Sequence, residues 1–514
     1  MPILGSIIKR AIELRSKIPL EGGKRLNAEK AQQKELKKLL KKAYYTTFGE
    51  HYKFIDILKK DDIISAFKES VPVHNYNSIF SKWWYRTING EAFVCWPGKV
   101  NYFALSSGTS EASSKYIPVT ADMLKAIKKT SIRQIISLAK YDFPNEFYQK
   151  GILMLGGSTH LLYNGTYYEG DLSGITAGNI PFWFEHFYKP GKRISKERDW
   201  STKLDEIVKS AKDWDIGVIV GVPAWLQILM ERIISHYNVN TIHDIWPNLS
   251  IYVHGGVSFE PYKKGFEKLL SHPITYMETY LASEGFIAYQ SRPNTSSMQL
   301  VLDNGLFFEF VPFNEQNFDD EGNLARNPNT ITIGEVEENK EYALLISSSA
   351  GAWRYLIGDT IKFTNKQLSE IVITGRTKHF LNICGEHLSQ ENMNMAVKMF
   401  GDEMNIEIKE FTVAGIKHGS MFAHKWFIGT DNQIDANIAK EKIDQNLKKL
   451  NDDYRVERIA AIKDVVVEIL PPELFYDWMK LQGKEGGQNK FPRVLKNEKL
   501  KSWEEYLNNK KQTE

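Results

Sequence analysis

Cysteine is nearly absent: Cys95 and Cys384 are the only two in 514 residues. One disulfide at most is possible, so the fold cannot rest on a disulfide framework, and the count fits a reduced, intracellular compartment. Neither cysteine has a metal-ligand neighbourhood. An excess of one charge is missing too, because 66 Lys and Arg stand against 63 Asp and Glu, a formal balance of +3. That balance gives no general case for nucleic acid or an acidic membrane as partner. Long apolar runs are the third absence. The start, MPILGSIIKRAIELRSKIPL, has neither a long apolar stretch nor a small-residue cleavage site, and no segment of spanning length follows. The expectation is a cytoplasmic protein without stable membrane association.

What is present is an ordinary globular composition, 42% hydrophobic and 25% charged, in a chain long enough for at least two domains. Residues 4 to 47 are helical in character, with Leu36, Leu39, Leu40 and Ala43 at i, i+3, i+4 and i+7 and lysines on the other face. Helical spacing recurs over 120–138 and 223–234. Apolar strand candidates lie at 151–157, 215–221, 251–253, 276–279 and 305–311. Strands alternating with helical runs predict a layered α/β domain. Beyond Lys378 the pattern changes: strands at 411–414, 425–428 and 460–469, with helices at 390–399 and 434–450, predict a small α+β unit. The expected organisation is a large domain over 1–377 and a mobile C-terminal lid over 378–514.

The stretch Tyr102 to Lys115, YFALSSGTSEASSK, is the most informative. A short buried strand breaks into Ser106, Ser107, Gly108, Thr109 and Ser110, small residues that bend tightly and expose backbone N–H groups. Such a loop either curls around an anion, with Lys115 as a fixed positive charge, or is an ordinary Ser/Gly turn. It is not a P-loop, since the GxxxxGK[ST] spacing fails. Further on, Tyr280 and Ser283-Glu284-Gly285 follow a strand; Glu284 is either a Mg²⁺ ligand beside bound phosphates or a solvated loop residue. In Trp353 to Asp359 a buried structural pair competes with ribose binding by Asp359. Arg376 in Ile373-Thr374-Gly375-Arg376 has the reach for a ribose or phosphate. Four histidines, His160, His186, His254 and His387, invite a general-base role, and no two have metal-ligand spacing.

Together these pieces resemble the acyl acid–amido synthetases, the auxin-responsive GH3 family, within the adenylate-forming acyl-CoA ligase and luciferase superfamily. The resemblance runs over nearly the whole length. It includes Val71-Pro72-Val73, the Ser106–Ser110 loop with Lys115 and Pro118, Tyr280 with Ser283-Glu284, Arg354 with Gly358-Asp359, Gly375-Arg376, and Gln488-Asn489-Lys490 with Pro492-Arg493. The shorter loops and the sequence LNICGEHLSQEN look like the bacterial branch. The family implies two half-reactions: a carboxylic acid and Mg-ATP give an acyl-adenylate, then an amino-acid amine displaces AMP. It also implies roles. Ser106, Ser107, Gly108, Thr109, Ser110 and Lys115 match the phosphate loop and its lysine. Glu284 matches the Mg²⁺ ligand, Tyr280 and Ser283 the nucleotide contacts, Asp359 the ribose ligand, Arg376 the hinge-motif arginine and Lys490 the lysine that swings in for adenylation.

Two positions depart from that pattern: Ala112 stands where the family has Gly, and Leu356 where the plant enzymes have Arg, which removes a charge. Phe182-Trp183-Phe184 is either a core aromatic cluster, the more ordinary reading, or the lining of an apolar acid pocket, which would imply an aryl or medium-length apolar acid. The expected assembly is a monomer taking an acid, ATP with Mg²⁺ and an amino acid, with no nucleic acid partner. The rivals are a plain acid–CoA ligase and a non-catalytic nucleotide- or acyl-binding protein.

Overall fold

The computed structural model describes residues 2–17, 27–106, 115–256, 259–260, 262–319, 322–377, 381, 383, 386, 388–418, 421–460, 462–484 and 491–511. The N-terminal helical pattern resolves into Pro2–Lys17 and Ala28–Ala43. Leu36, Leu39, Leu40 and Ala43 are all buried on one face of the second helix, as their spacing requires, and its lysines are mostly solvated. That face packs against a core running from Phe48, Phe54 and Trp84 to Phe307, Leu344 and Trp353.

Among the described residues this core backs one half of an eleven-stranded sheet. That half is antiparallel: Leu306–Pro312, Glu341–Ser348, Tyr355–Asn365, Glu370–Arg376, Met298–Leu300 and Gly285–Tyr289 follow one another across it. The other half is parallel and runs through Thr275–Ala282, Ile251–Gly255, Ile216–Gly221, Gly151–Leu155 and Tyr188–Lys189. Helices Trp200–Ser210 and Pro223–Tyr237 cover the parallel half with their own apolar cluster. The strand Thr275–Ala282 is the seam, parallel to Ile251–Gly255 on one side and antiparallel to Gly285–Tyr289 on the other. Loops that leave the carboxyl ends of parallel strands at such a switch form a natural crevice for a ligand.

A second, four-stranded sheet carries the hairpin Tyr102–Ser106 and Lys115–Val119, with Tyr168–Gly170 parallel to the first of these strands. The C-terminal unit has its own three-stranded sheet, Glu410–His418, Met421–Gly429 and Ile462–Leu470, and separate apolar clusters. Fold class is therefore as expected, a large α/β domain with more than one sheet and a smaller α+β unit. The antiparallel strands between 341 and 376, and helices Glu473–Leu481 and Asn497–Lys511, go beyond the expectation. Cys95 is a buried free thiol, and Cys384 lies outside the described residues. No helix among the described residues is long and apolar enough to cross a membrane.

Candidate active site

A cavity of about 2980 Å³ opens at the carboxyl ends of the parallel strands and reaches the C-terminal unit. Local structure brings the candidate residues to its wall. Ser106 and Lys115 are cross-strand partners at the mouth of their hairpin, so the serine and the ammonium face the cavity from one point. Lys115 Nζ also sits 5.5 Å from the ring centre of Tyr76. Asp359 and Arg376 are partners in the register of Tyr355–Asn365 with Glu370–Arg376. That register puts Arg376 Nε 3.0 Å from Asp359 Oδ1, while Tyr280, from the seam strand, donates its hydroxyl to Asp359 Oδ2. Gly358 just before Asp359 has φ of +92°, a backbone state that favours glycine.

Ser283 and Glu284 turn the seam strand into the next one and also line the cavity. Glu284 is only 7% exposed. Burial and then the charge of Asp359 push its carboxyl upward, while Lys115 and Arg376 oppose the shift. Arg376 is pushed up by Asp359 although burial works against it. Two carboxylates and two cations therefore share one corner of the cavity with no surplus positive charge. No group of three metal-ligating side chains occurs among the described residues. A single buried carboxylate fits Mg²⁺ that arrives with a nucleotide and takes its remaining oxygens from phosphate and water.

Some expectations change. Phe182 is 88% exposed, and neither it nor Phe184 lines the cavity; apolar walls come instead from Leu105, Met154, Val220, Trp225 and Ile228. Leu356 packs with Val311, Phe318 and Leu345 in an apolar cluster away from the cavity, so the missing charge is not a missing cavity contact. Arg354 is structural: its guanidinium donates to Glu309, the carbonyls of Lys68 and Val71 and the hydroxyl of Thr330. Ser107, Gly108, Thr109, Ser110, Ala112, His387 and Lys490 lie outside the described residues. Lys484 and Phe491, the described residues on either side of Lys490, both line the cavity.

Sequence reasoning passed over Asp171, Lys203 and Glu278, all on the cavity wall. Lys203, 2% exposed, is lowered by burial to about 8, with Asp171 as a partial counter-charge. Glu278 is raised by burial, and secondarily by Glu260, to about 7. Its signal was legible: one carboxylate inside the strand-like run Tyr276-Met277-Glu278-Thr279-Tyr280. His254 is buried and lowered to about 4, hence neutral, and its Nδ1 has no hydrogen-bond partner among the described residues.

Three family models match the chain: the GH3 family N-terminal domain over 24–168, its central domain over 299–376 and its C-terminal domain over 391–499. Among curated relatives, the jasmonoyl–L-amino acid synthetase GH3.5 of Oryza sativa subsp. japonica is 27% identical over 182 residues, 33% of this chain and 31% of the relative. The jasmonoyl–L-amino acid synthetase JAR6 of Nicotiana attenuata is 22% identical over 462 residues, 75% of this chain and 76% of the relative. The solved structure of GH3.15 acyl acid amido synthetase superposes with a TM-score of 0.75 at 16% identity, covering 98% of this chain and 96% of that one.

Proposed function

The chain belongs to the GH3 family, and from that premise we propose that it is an ATP-dependent acyl acid–amido synthetase, joining a carboxylic acid to an amino acid through an acyl-adenylate. The observation that carries the reading is the convergence of Ser106, Lys115, Tyr280, Glu284, Asp359 and Arg376 on one cavity.

A free carboxylate is a poor electrophile, and its attack on the α-phosphate concentrates negative charge. Lys115, beside Ser106, supplies a positioned cation where that charge develops. Asp359, oriented by Tyr280 and Arg376, has a carboxylate suited to vicinal ribose hydroxyls. Glu284 would hold Mg²⁺, which would neutralise phosphate charge when bound. Lys490 takes the adenylation role through the motif it shares with the family. The C-terminal unit acts as a lid over 378–514, exchanging the surface it presents between half-reactions. Met154, Val220, Trp225 and Ile228 favour an aryl or medium-length apolar acid. The acceptor is an amino acid, the enzyme works as a monomer, and two cysteines, one a buried thiol, suit the cytoplasm.

The test is acid-dependent exchange of labelled pyrophosphate into ATP across a library of carboxylic acids. Exchange with at least one acid, reduced about a hundredfold by K115A, is expected, since one positioned charge is worth about 3 kcal/mol in such a transition state. Nucleotide binding with no exchange for any acid would leave a non-catalytic binding protein.

A further inference from the structure

The seam strand carries a carboxylate that adenylation does not use. Glu278 lies two residues before Tyr280 on the same face of Thr275–Ala282 and lines the cavity. In the parallel register it stands beside His254 of Ile251–Gly255, whose buried imidazole leaves Nδ1 without a partner among the described residues. Its backbone is fixed on the other side by Gln290, whose N–H donates to the Glu278 carbonyl at 2.9 Å while its side-chain oxygen accepts from the Glu278 N–H at 3.2 Å. The charged groups around it do not balance it. Glu260 adds a like charge, and the Lys398 ammonium of the C-terminal unit sits 3.8 Å from Glu260. Lys263 lies over the Tyr276 ring. No ion pair to the Glu278 carboxylate occurs among the described residues. A desolvated carboxylate beside a neutral imidazole, on a cavity wall, is a site for a cation that arrives with a ligand.

On the reading of the chain as an amido synthetase, we propose that Glu278 and His254 receive the ammonium group of the amine acceptor, and that the Glu278 carboxylate takes its first proton. The electron balance is simple. The acceptor enters as R–NH3⁺ and gives one proton to Glu278. The freed nitrogen lone pair forms the C–N bond to the acyl carbon as the carbonyl π pair moves to oxygen. Collapse restores the carbonyl and breaks the bond from the acyl carbon to the phosphate oxygen, whose electron pair leaves with AMP. The second surplus amine proton goes to that phosphate, so one amide, one protonated Glu278 and monoprotonated AMP result. A carboxyl raised to about 7 is matched to this task, being ionised at working pH yet far more basic than a solvated glutamate.

The experiment compares wild type with E278Q in two assays: acid-dependent pyrophosphate exchange, and amide formation from a supplied acyl-adenylate over pH 5.5 to 9.5. The loss in amide formation at pH 7.5 should exceed any loss in exchange by at least thirtyfold. In wild type the kcat/KM for the amine should rise to a shoulder near pH 7. In E278Q it should climb without that shoulder toward the amine's own ionisation. Hydroxylamine, neutral at pH 7, should trap the adenylate nearly equally well with both proteins. Equal losses in both assays, an unchanged pH profile or an equal defect with hydroxylamine would overturn the assignment. Absence of exchange in wild type would instead remove the synthetase reading itself.

Discussion

At the scale of single residues, two arginine–carboxylate pairs share similar chemistry and differ in burial and in what surrounds them. Arg376 and Asp359 face the cavity, where a nucleotide can use the second carboxylate oxygen. Arg354 and Glu309 are sealed in the core, 6% and 1% exposed at their side chains, and every direction of the guanidinium is satisfied by protein. E309A leaves the Arg354 charge buried and unpaired, and should cost about 3–5 kcal/mol of stability. Chemical denaturation measures that loss, and the KM for ATP in pyrophosphate exchange at low temperature should stay within twofold. A stable variant with a tenfold higher KM would mean that Arg354 serves the nucleotide. The sequence alone left this residue undecided, because WRYLIGD shows that an arginine is in an apolar run and not which carboxylate it meets 45 positions away. Glu278 is a related case: a carboxylate inside a strand-like run is visible in the sequence, but its meaning depends on the strand beside it, and periodicity does not reveal neighbours.

At the scale of elements, the close approach of two strands builds the amine site. Gly255 ends Ile251–Gly255 against Thr279, and a Cβ there would stand 2.4 Å from the Thr279 carbonyl oxygen and 2.9 Å from its hydroxyl. G255A should therefore push the strands apart next to His254 and Glu278, at a cost of about 1–3 kcal/mol. Amide formation from supplied adenylate should fall more than pyrophosphate exchange, because the displaced side chains serve transfer; the reverse order would contradict this geometry. Most parallel strands were legible as apolar runs that end in or run into Gly, such as Gly151–Leu155 and Ile216–Gly221. In the antiparallel half Leu306–Pro312 was legible as a strand, and those between 341 and 376 were not. Glu341–Ser348 is buried at seven successive positions, so it shows no alternation, and Tyr355–Asn365 is broken by the Gly-Asp that carries its chemistry.

At the scale of the whole molecule, the cavity is completed by the C-terminal unit, which is tied to the large domain by polar contacts. Arg493 pairs with Glu410 and reaches the Tyr262 hydroxyl at 3.3 Å. Gln227 donates to Glu407 at 2.8 Å, and Lys264 meets Asp402 at 2.9 Å. Polar contacts of this kind can be exchanged for others more easily than a large apolar interface, which suits the proposed lid. The sequence suggested two units from a change of pattern near Lys378, whereas the cross-unit contacts were not visible in it, since Gln227 with Glu407, Lys264 with Asp402 and Tyr262 with Arg493 join segments more than a hundred residues apart. In the proposed reaction the acid's own oxygen attacks the α-phosphate before the amine arrives. Acid labelled with ¹⁸O in its carboxylate, incubated with ATP, Mg²⁺ and an amino acid, tests it by mass spectrometry of all products. The account predicts one ¹⁸O in AMP, none in pyrophosphate, and an amide retaining the other. Label in inorganic phosphate with ADP as co-product, or a thioester formed only with CoA and no amide, would contradict it.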